Sequence, residues 1–339
     1  MSTGAPYIIP FFISHQGCPH QCVFCNQEAI TGEEKGLISG YTVREILGQR
    51  LSELDNQRKE VEVAFYGGSF TGIPEEVQEE ILGAVQPFLA AGLVKSIRLS
   101  TRPDYIDRRR AAFLRSYGVA TVELGVQSLD HEVLVMSGRG HTRQQVEEAF
   151  DVLQKEGFKT GGQLMIGLPG DNYRRIMKSC LRLADLAPDM VRIYPALVLK
   201  GSPLARLYRK ERFSPLPFNK ALAFSVKIKG LFDRLGIPVI RMGLHPSSSL
   251  ENGLLAGPYH PAFGELVKSR IFFHRIRRLL VRIERPAVIS LSVRDESVFR
   301  GQKNCNLKRL EELGLLRDVQ IEYSREQARD LILVRPVNL

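Results

Sequence analysis

Apolar, strand-like segments alternate with helix-like segments through the first 200 residues of this chain. Six segments are apolar and rich in β-branched or aromatic residues, as buried strands are: residues 7–15, 61–68, 96–101, 120–128, 161–170 and 190–199. Segments with helical spacing of apolar residues lie between them, at 42–54, 74–92, 108–118, 142–157 and 172–187. Because strands that alternate with helices pair in parallel, the pattern predicts a parallel sheet covered by helices.

Glycine and polar residues collect where these predicted strands end. They are Gly67, Gly68, Ser100, Thr101, Gln127 and Gly167. Parallel sheets and barrels bind their ligands at the C-terminal ends of the strands. We therefore expect a ligand site along this edge of the sheet.

The alternation weakens after about residue 200. Residues 236–264 are rich in Gly, Pro and Ser, and we interpret them as a loop-rich connection. A small α/β unit follows, with helices at 265–280 and 305–314 and strands at 287–293 and 319–324. These patterns predict a core domain over residues 1–210 and an α/β extension over residues 211–339.

Composition limits the classes of protein that this chain can be. It has 339 residues, 44% of them hydrophobic, which is enough for one large domain or for a large domain with a smaller companion. No run of 18 apolar residues occurs, so we expect neither a transmembrane helix nor a membrane partner. The first residues lack the basic region of a signal peptide, and five cysteines, three of them close together, favour a reducing cytoplasm.

The chain is basic, with a formal charge of +10 and a pI of about 9.4. This charge favours a polyanionic partner such as nucleic acid. Basic residues concentrate in 267–285, where a helix would place Lys268, Arg275 and Arg278 on neighbouring faces, and again in 298–309. A phosphate-binding surface and an ordinary solvated helix are both compatible with this pattern.

Cys18, Cys22 and Cys25 lie within eight positions, directly after the first predicted strand. A structural zinc site takes four ligands, so it would need His15 or His20 as the fourth. A disulfide would leave the third thiol unpaired. A 4Fe–4S cluster usually takes four thiolates, and three would leave one iron open to another ligand. The Cys-x3-Cys-x2-Cys spacing directly after a strand favours a 4Fe–4S cluster that is held by three thiolates.

With Phe24 directly before the third cysteine, the motif resembles the signature of the radical SAM superfamily. The resemblance implies a partial (β/α)6 TIM-like barrel with a small α/β C-terminal extension. It implies two cofactors, a 4Fe–4S cluster on the three cysteines and S-adenosylmethionine on the open iron. The implied chemistry is reductive cleavage of S-adenosylmethionine to a 5′-deoxyadenosyl radical, which abstracts hydrogen from a substrate.

The resemblance extends over about residues 7–210. Five further stretches, in the same order and at similar spacing, resemble the radical SAM domain of the catalytic subunit of elongator, a tRNA-modifying family: 100–106, 123–129, 138–142, 157–170 and 194–208. The elongator subunit differs in having a wider gap between its first two cysteines. It also has an acetyltransferase domain, whereas residues 210–339 show no glycine-rich acetyl-CoA loop. The compact cysteine spacing is more similar to radical SAM proteins in general, including oxygen-independent coproporphyrinogen oxidases.

The resemblance also implies cofactor contacts at individual positions: Phe24, Gly67, Gly68, Ser69, Ser100, Gln127, Arg139 and Gln163. The glycine pair would meet the methionyl amino group through its backbone, and the two glutamines would lie near the ribose. Arg139 would meet the methionyl carboxylate, whose planar shape a guanidinium matches. Ser100 replaces a glutamate that relatives often use for the amino group, so Ser69 or backbone carbonyls would take over that contact. An ordinary strand-end hydrogen bond is the alternative role for each polar side chain.

Resemblance and charge together favour an RNA substrate, above all tRNA, and a reducing electron donor of the flavodoxin or ferredoxin type. Two alternatives stay open. One is a radical SAM enzyme that acts on a small metabolite, a tetrapyrrole or a peptide. The other is a non-catalytic iron–sulfur or haem carrier or assembly protein. Cys180 and Cys305 are too few for the second cluster of a methylthiotransferase, and Cys180 lies in the apolar pattern of a helix, as a core residue would.

Overall fold

The computed structural model of the protein describes residues 6–13, 17–18, 22–26, 30, 38–54 and 60–337. They divide into two compact units. The first comprises Met1–Ala221 and Phe232–Tyr259, and the second comprises Leu222–Leu231 and His260–Leu339, as far as each is described. The predicted division at residue 210, with a substrate-binding role for residues 211–339, stays a prediction.

Nine strands lie in the described part of the first unit: β1 Tyr7–Ile13, β2 Val61–Gly67, β3 Ser96–Thr101, β4 Val119–Gln127, β5 Lys159–Ile166, β6 Met190–Pro195, β7 Val198–Leu199, β8 Val239–Met242 and β9 Leu254–Ala256. Seven of them form one parallel sheet in the order β1-β2-β3-β4-β5-β6-β8. The sheet curls into a half-barrel, which confirms the predicted partial barrel and adds a seventh strand to it.

Two segment predictions are wrong. Residues 236–264 are not simply a loop, because β8 joins the sheet beside β6, and a helix Ser248–Gly253 and β9 follow it. The strand predicted over 190–199 is divided into β6 and β7, and β7 pairs with β9 instead of continuing the sheet. Four-residue β8 lies between Pro238 and Gly243, so turn-forming residues conceal it in the sequence.

The helices of the first unit are Gly40–Ser52, Glu75–Ala90, Arg108–Ser116, His131–Met136, Arg143–Lys155, Tyr173–Asp185, Pro203–Arg209, Phe218–Arg234, which continues into the second unit, and Ser248–Gly253. Local capping explains where several of them begin. The side chains of Asp107, Asp130 and Asn172 each accept a hydrogen bond from the backbone amide three residues later. Thr142 and Gln145 form a reciprocal capping box at the start of Arg143–Lys155.

The second unit has a three-stranded sheet and helices Phe263–Leu280, Glu296–Arg300 and Cys305–Glu312. Its strand β10, Ala287–Ser292, pairs in parallel with β11, Val319–Ser324, and antiparallel with β12, Ile332–Pro336. Its core consists of Phe272, Phe273, Ile276, Leu280, Ile289, Leu291, Val298, Phe299 and Leu310. Among the described residues, no helix is both long and apolar enough to cross a membrane. The cytoplasmic location stays a prediction.

Candidate functional site

A cavity of about 420 Å³ lies at the C-terminal ends of the parallel strands, within the first unit. Ten predicted site residues line it: Cys18, Cys22, Phe24, Cys25, Gly67, Gly68, Ser100, Gln127, Arg139 and Gln163. Ser69 is the predicted residue that does not line this cavity. Tertiary structure therefore brings together positions that are up to 145 residues apart, from Cys18 to Gln163.

Hydrogen bonds from two other parts of the chain hold the loop that carries the second and third cysteines. The amide of Val23 donates to the carbonyl of Ser137 at 2.9 Å, and the amide of Leu204 donates to the carbonyl of Val23 at 2.7 Å. The side chain of Asn26 donates to the carbonyl of Lys200 at 2.5 Å. The loop is thus fixed in place by the segment before Arg139 and by the segment after β7.

The approach to the first cysteine packs against the turn that follows β2. A Cβ atom on Gly17 would lie 2.2 Å from the carbonyl oxygen of Ser69, and a Cβ atom on Gly72 would lie 2.0 Å from that of Gly17. Such separations are shorter than any real contact, so both positions require glycine. These two glycines are not among the residues predicted from the sequence, because a glycine that allows close backbone packing resembles any turn glycine.

Arg139 places a buried cation against the second cysteine. Its Nη1 donates to Sγ of Cys22 at 3.4 Å, and its Nη2 donates to the carbonyl of Gly125 at 2.6 Å. Its Nε is buried without a hydrogen-bond partner in the described structure. Arg139 therefore lies beside one of the three cysteines that could hold a metal cluster. The predicted contact of Arg139 with a carboxylate stays a prediction.

Gln127 ends β4 in an unusual conformation. Its φ is 64°, in the left-handed region that residues other than glycine seldom occupy. Its Oε1 is buried, with no hydrogen-bond partner among the described residues. A strained backbone and an unpaired buried acceptor on a cavity wall are both typical of ligand sites.

The side chain of Ser69 joins the ends of two strands. Its hydroxyl lies 2.9 Å from Oγ1 of Thr101 and accepts a hydrogen bond from the amide of Arg102 at 3.3 Å. Thr101 also lies 2.6 Å from the hydroxyl of Thr71, so three buried hydroxyls form one group. These contacts account for the position of Ser69 outside the cavity wall; its cofactor contact stays a prediction.

Gln163 belongs to a buried ionic network inside the half-barrel. Its Nε2 donates to Glu123 at 3.3 Å, and Glu123 also pairs with Arg98 at 3.3 Å and with Arg192. Arg98 in turn pairs with Glu62 at 2.6 Å. Two carboxylates and two guanidiniums balance in charge, which removes much of the cost of burying them. The network orients the carboxamide of Gln163 on the cavity wall.

Phe24 supplies an apolar part of the wall. Its ring packs against the cluster of Val133, Leu168 and Ala196, together with Met165. Ser100 lies at the end of β3, half-buried on the same wall. Outside this site, Cys180 is 1% exposed, which confirms it as a core residue.

The residues on the cavity wall fit a cluster better than a single ion. Among the described residues, no three Cys, His, Asp or Glu side chains surround a point where one metal ion would bind. An iron–sulfur cluster has several irons, so its thiolates need not meet at one point. The three cysteines lie on one wall beside the guanidiniums of Arg102 and Arg139, which suit an anionic cluster. The zinc alternative depends on His15 or His20, which lie outside the described residues.

His141, close to Arg139 in the chain, is buried as a neutral imidazole. It is 3% exposed, and its Nε2 lies 3.2 Å from the carbonyl of Val126. Burial, together with the charge of Arg139, lowers its pKa to about 3. As the pH falls, the unfolded chain therefore protonates this histidine first, while the ring in the folded protein is still uncharged.

We expect this histidine to make the protein less stable in acid. The pKa of His141 in the folded protein lies below the usual 6.5. Its contribution to the free energy of unfolding is therefore fully present above pH 6.5 and is lost as the pH falls toward 3. Between about pH 8 and about pH 5 the loss amounts to about 2 kcal/mol. Urea unfolding of wild type and His141→Gln at both pH values measures it. An equal pH dependence in the two proteins would contradict the assignment.

Comparison with known families agrees with this site. Residues 12–183, about half of the chain, match the radical SAM superfamily, and residues 188–272 match the radical SAM C-terminal domain. The tRNA uridine(34) acetyltransferase of Methanocaldococcus jannaschii is 26% identical over 253 residues, which cover 63% of this chain and 47% of that protein. Elongator complex protein 3 of Drosophila melanogaster is 28% identical over 203 residues, which cover 54% of this chain and 37% of that protein. The chain spans about half the length, or less, of these curated relatives.

Solved structures share the fold. The archaeal Methanocaldococcus infernus Elp3 aligns with a TM-score of 0.60 at 22% identity, over 82% of this chain and 65% of that one. Coproporphyrinogen III oxidase (HemN) of Escherichia coli aligns with a TM-score of 0.50 at 15% identity, over 68% and 53%. At such identities the likeness establishes the fold, and the family match over residues 12–183 includes all ten predicted site residues on the cavity wall. The chain therefore belongs to the radical SAM superfamily of enzymes, and its radical SAM region is homologous to that of the elongator-type proteins.

Proposed function

We propose that this enzyme binds a 4Fe–4S cluster through Cys18, Cys22 and Cys25, binds S-adenosylmethionine beside it, and modifies tRNA. The observation that carries the proposal is a single cavity wall that combines three cysteines with a buried guanidinium and with polar atoms that are unpaired within the described part of the chain. Membership of the superfamily implies these two cofactors. When bound, they supply the one-electron cleavage that generates a 5′-deoxyadenosyl radical.

The chain's own residues would bind and orient the cofactors. Gly67 has a φ of 103°, and a Cβ atom there would lie 3.0 Å from the carbonyl of Ile13, so glycine keeps this strand end open. Arg139 and Gln127 contribute a donor and an acceptor that have no hydrogen-bond partner among the described residues. The ring of Phe24 adds an apolar surface to the same wall. A reducing partner of the flavodoxin or ferredoxin type would supply the electron.

Production of 5′-deoxyadenosine tests the proposed function. The full chain is reconstituted anaerobically with iron and sulfide, then given dithionite and S-adenosylmethionine, with or without total tRNA. We expect 5′-deoxyadenosine to form, and tRNA to increase its rate and to gain a new mass. A cluster-loaded protein that forms no 5′-deoxyadenosine under any condition is not this enzyme. Stimulation by a metabolite extract but not by tRNA would support the small-substrate alternative.

RNA as the substrate is supported by a basic surface in the second unit. We call it the Arg277 surface and define it by Lys227, Arg270, His274, Arg277 and Arg278. Partial burial and the charges of the four neighbouring cations lower the pKa of His274, which shows that these cations lie close together. Lys227, Arg277 and Arg278 are exposed. Clustered cations of this kind bind phosphate backbones by releasing counterions.

Only part of the basic helix predicted from the sequence is available for such contacts. Arg275 donates to the carbonyl of Asp330 at 2.6 Å and lies over the ring of Phe272, so it holds the second unit together. Lys268 pairs with Glu265 at 2.8 Å. The exposed charge therefore lies with Arg277 and Arg278 rather than with Arg275.

Reversing two charges on the Arg277 surface should weaken tRNA binding. For Arg277→Glu/Arg278→Glu we expect the affinity to fall about tenfold or more at low salt, and the slope of log affinity against log salt to decrease by about 2. Fluorescence anisotropy with labelled tRNA at several salt concentrations measures both. Arg44→Glu/Arg50→Glu, on the exposed face of Gly40–Ser52, is the control with the same charge change. An equal effect of both variants would show that only net charge matters.

A further inference from the structure

Arg102 is buried although it carries a charge. It is 2% exposed and is the largest of the fully buried side chains described. It follows β3 directly and lines the same cavity as the three cysteines. Burying a guanidinium is costly unless its charge and its N–H groups have partners. Arg102 is not among the residues predicted from the sequence, although it lies in the segment 100–106 that resembles elongator.

Protein groups accept hydrogen bonds from two of the three nitrogen atoms of this guanidinium. Its Nε donates to Oδ1 of Asp104 at 2.9 Å, and its Nη2 donates to Oδ2 of Asp104 and to the carbonyl of Arg139, both at 2.8 Å. Its Nη1 is buried without a partner among the described residues. An unsatisfied buried donor costs about 1–3 kcal/mol, more when it is charged. The side chain is therefore held in one orientation by Asp104, with one end left for a ligand.

Arg102 is connected to the first cysteine within the cavity that both residues line. A Cβ atom on Gly17, directly before Cys18, would lie 2.2 Å from the carbonyl oxygen of Ser69. Ser69 links the two residues, because its backbone hydrogen-bonds Cys18 and its hydroxyl accepts the amide of Arg102 at 3.3 Å. Arg139 donates to the second cysteine, Cys22. Two guanidiniums thus lie beside two of the three cysteines.

We infer that Arg102 is a binding residue for the iron–sulfur cluster, and that its Nη1 donates to the cluster at the Cys18 corner. The inference rests on the proposed function, because it requires the cluster to bind at these cysteines. Net charge and hydrogen bonds to sulfur set the reduction potential of such clusters. One-electron reduction adds a negative charge to the group, so a buried cation stabilises the reduced form more than the oxidised form. Arg102 therefore raises the reduction potential.

The test removes the cation without leaving its counter-ion alone. Arg102→Met by itself would leave the Asp104 carboxylate buried and unpaired. The double variant Arg102→Met/Asp104→Asn avoids this, and Asp104→Asn is its matched control, since it keeps Arg102. Each protein is reconstituted anaerobically, its iron is counted, and its cluster is titrated with dithionite by absorbance and electron paramagnetic resonance. At the potential where half of the wild-type cluster is reduced, we expect the ratio of reduced to oxidised cluster to be about tenfold lower in the double variant. This ratio corresponds to a negative shift of the reduction potential by about 59 mV for one electron. Asp104→Asn should show no negative shift.

Other outcomes overturn the inference in distinguishable ways. An unchanged potential in a double variant with full iron content shows that Arg102 does not act on the cluster. Lower affinity for S-adenosylmethionine without a change in potential shows that Nη1 serves that cofactor instead. If the double variant takes up no cluster, Arg102→Lys is measured instead. This variant keeps the charge but loses the planar set of donors, so we expect a smaller negative shift of the reduction potential. An unchanged potential in Arg102→Lys overturns the inference. Failure of the wild type to take up any cluster would instead contradict the proposed function.

Discussion

Replacing Cys22 with alanine should remove the cluster and abolish 5′-deoxyadenosine formation, while the half-barrel stays folded. Cys22 is 5% exposed and accepts a hydrogen bond from Arg139, so its sulfur is enclosed and lies beside a buried cation. When three cysteines bind a 4Fe–4S cluster, one of its irons has no protein ligand. When only two cysteines are left, a second iron lacks a protein ligand as well. The variant also loses the sulfur that accepts a hydrogen bond from the buried guanidinium of Arg139. Iron and sulfide content, the visible absorbance of the cluster and the yield of 5′-deoxyadenosine measure the loss.

Cys305→Ala is the matched control for this variant. Cys305 is exposed and lies in the second unit, so we expect its loss to leave iron content and activity unchanged. Cys180 suits this purpose less well, because burial raises its pKa to about 12 and its removal would open a space in the core. Circular dichroism establishes that both variants are folded. A Cys22→Ala protein that keeps its full yield of 5′-deoxyadenosine contradicts the cluster assignment.

Adding one methyl group at Gly72 should displace the first cysteine. The new Cβ would lie 2.0 Å from the carbonyl oxygen of Gly17, which is backbone and cannot rotate away. The turn after β2 must then separate from the approach to Cys18. We expect Gly72→Ala to cost about 1–3 kcal/mol in the free energy of unfolding. We also expect it to retain much less iron, because the turn after β2 and the approach to Cys18 are directly in contact.

Gly83→Ala distinguishes this steric effect from the loss of a glycine in general. Gly83 lies inside the helix Glu75–Ala90, and nothing lies within 4 Å of a Cβ atom placed there. Alanine should therefore stabilise the protein by about 0.5–1 kcal/mol and leave the iron content unchanged. Urea unfolding and iron analysis of the two variants make the comparison. Full iron content in Gly72→Ala would show that the approach to Cys18 tolerates the displacement.

Local pattern was sufficient for most of the half-barrel. Strands β1 to β6 are long, apolar and separated by helices with clear starts, so periodicity located each of them. Strand β8 has only four residues between a proline and a glycine, and its place is decided by pairing with β6. The division between β6 and β7 likewise depends on pairing, since β7 joins β9, which lies more than 50 residues further along the chain. Such long-range partners leave no periodic signal.

The amino-acid sequence by itself determined the parallel half-barrel and the spacing of three cysteines after its first strand. Only the tertiary structure decided how the other polar residues are used. Ser69 is a predicted cofactor contact and Arg102 is not. Yet Ser69 lies within a group of buried hydroxyls, whereas Arg102 lines the cavity with a donor that has no partner among the described residues. The difference arises because hydrogen-bond partners from distant strands determine which side of each side chain remains free, and spacing along the chain carries no information about those partners.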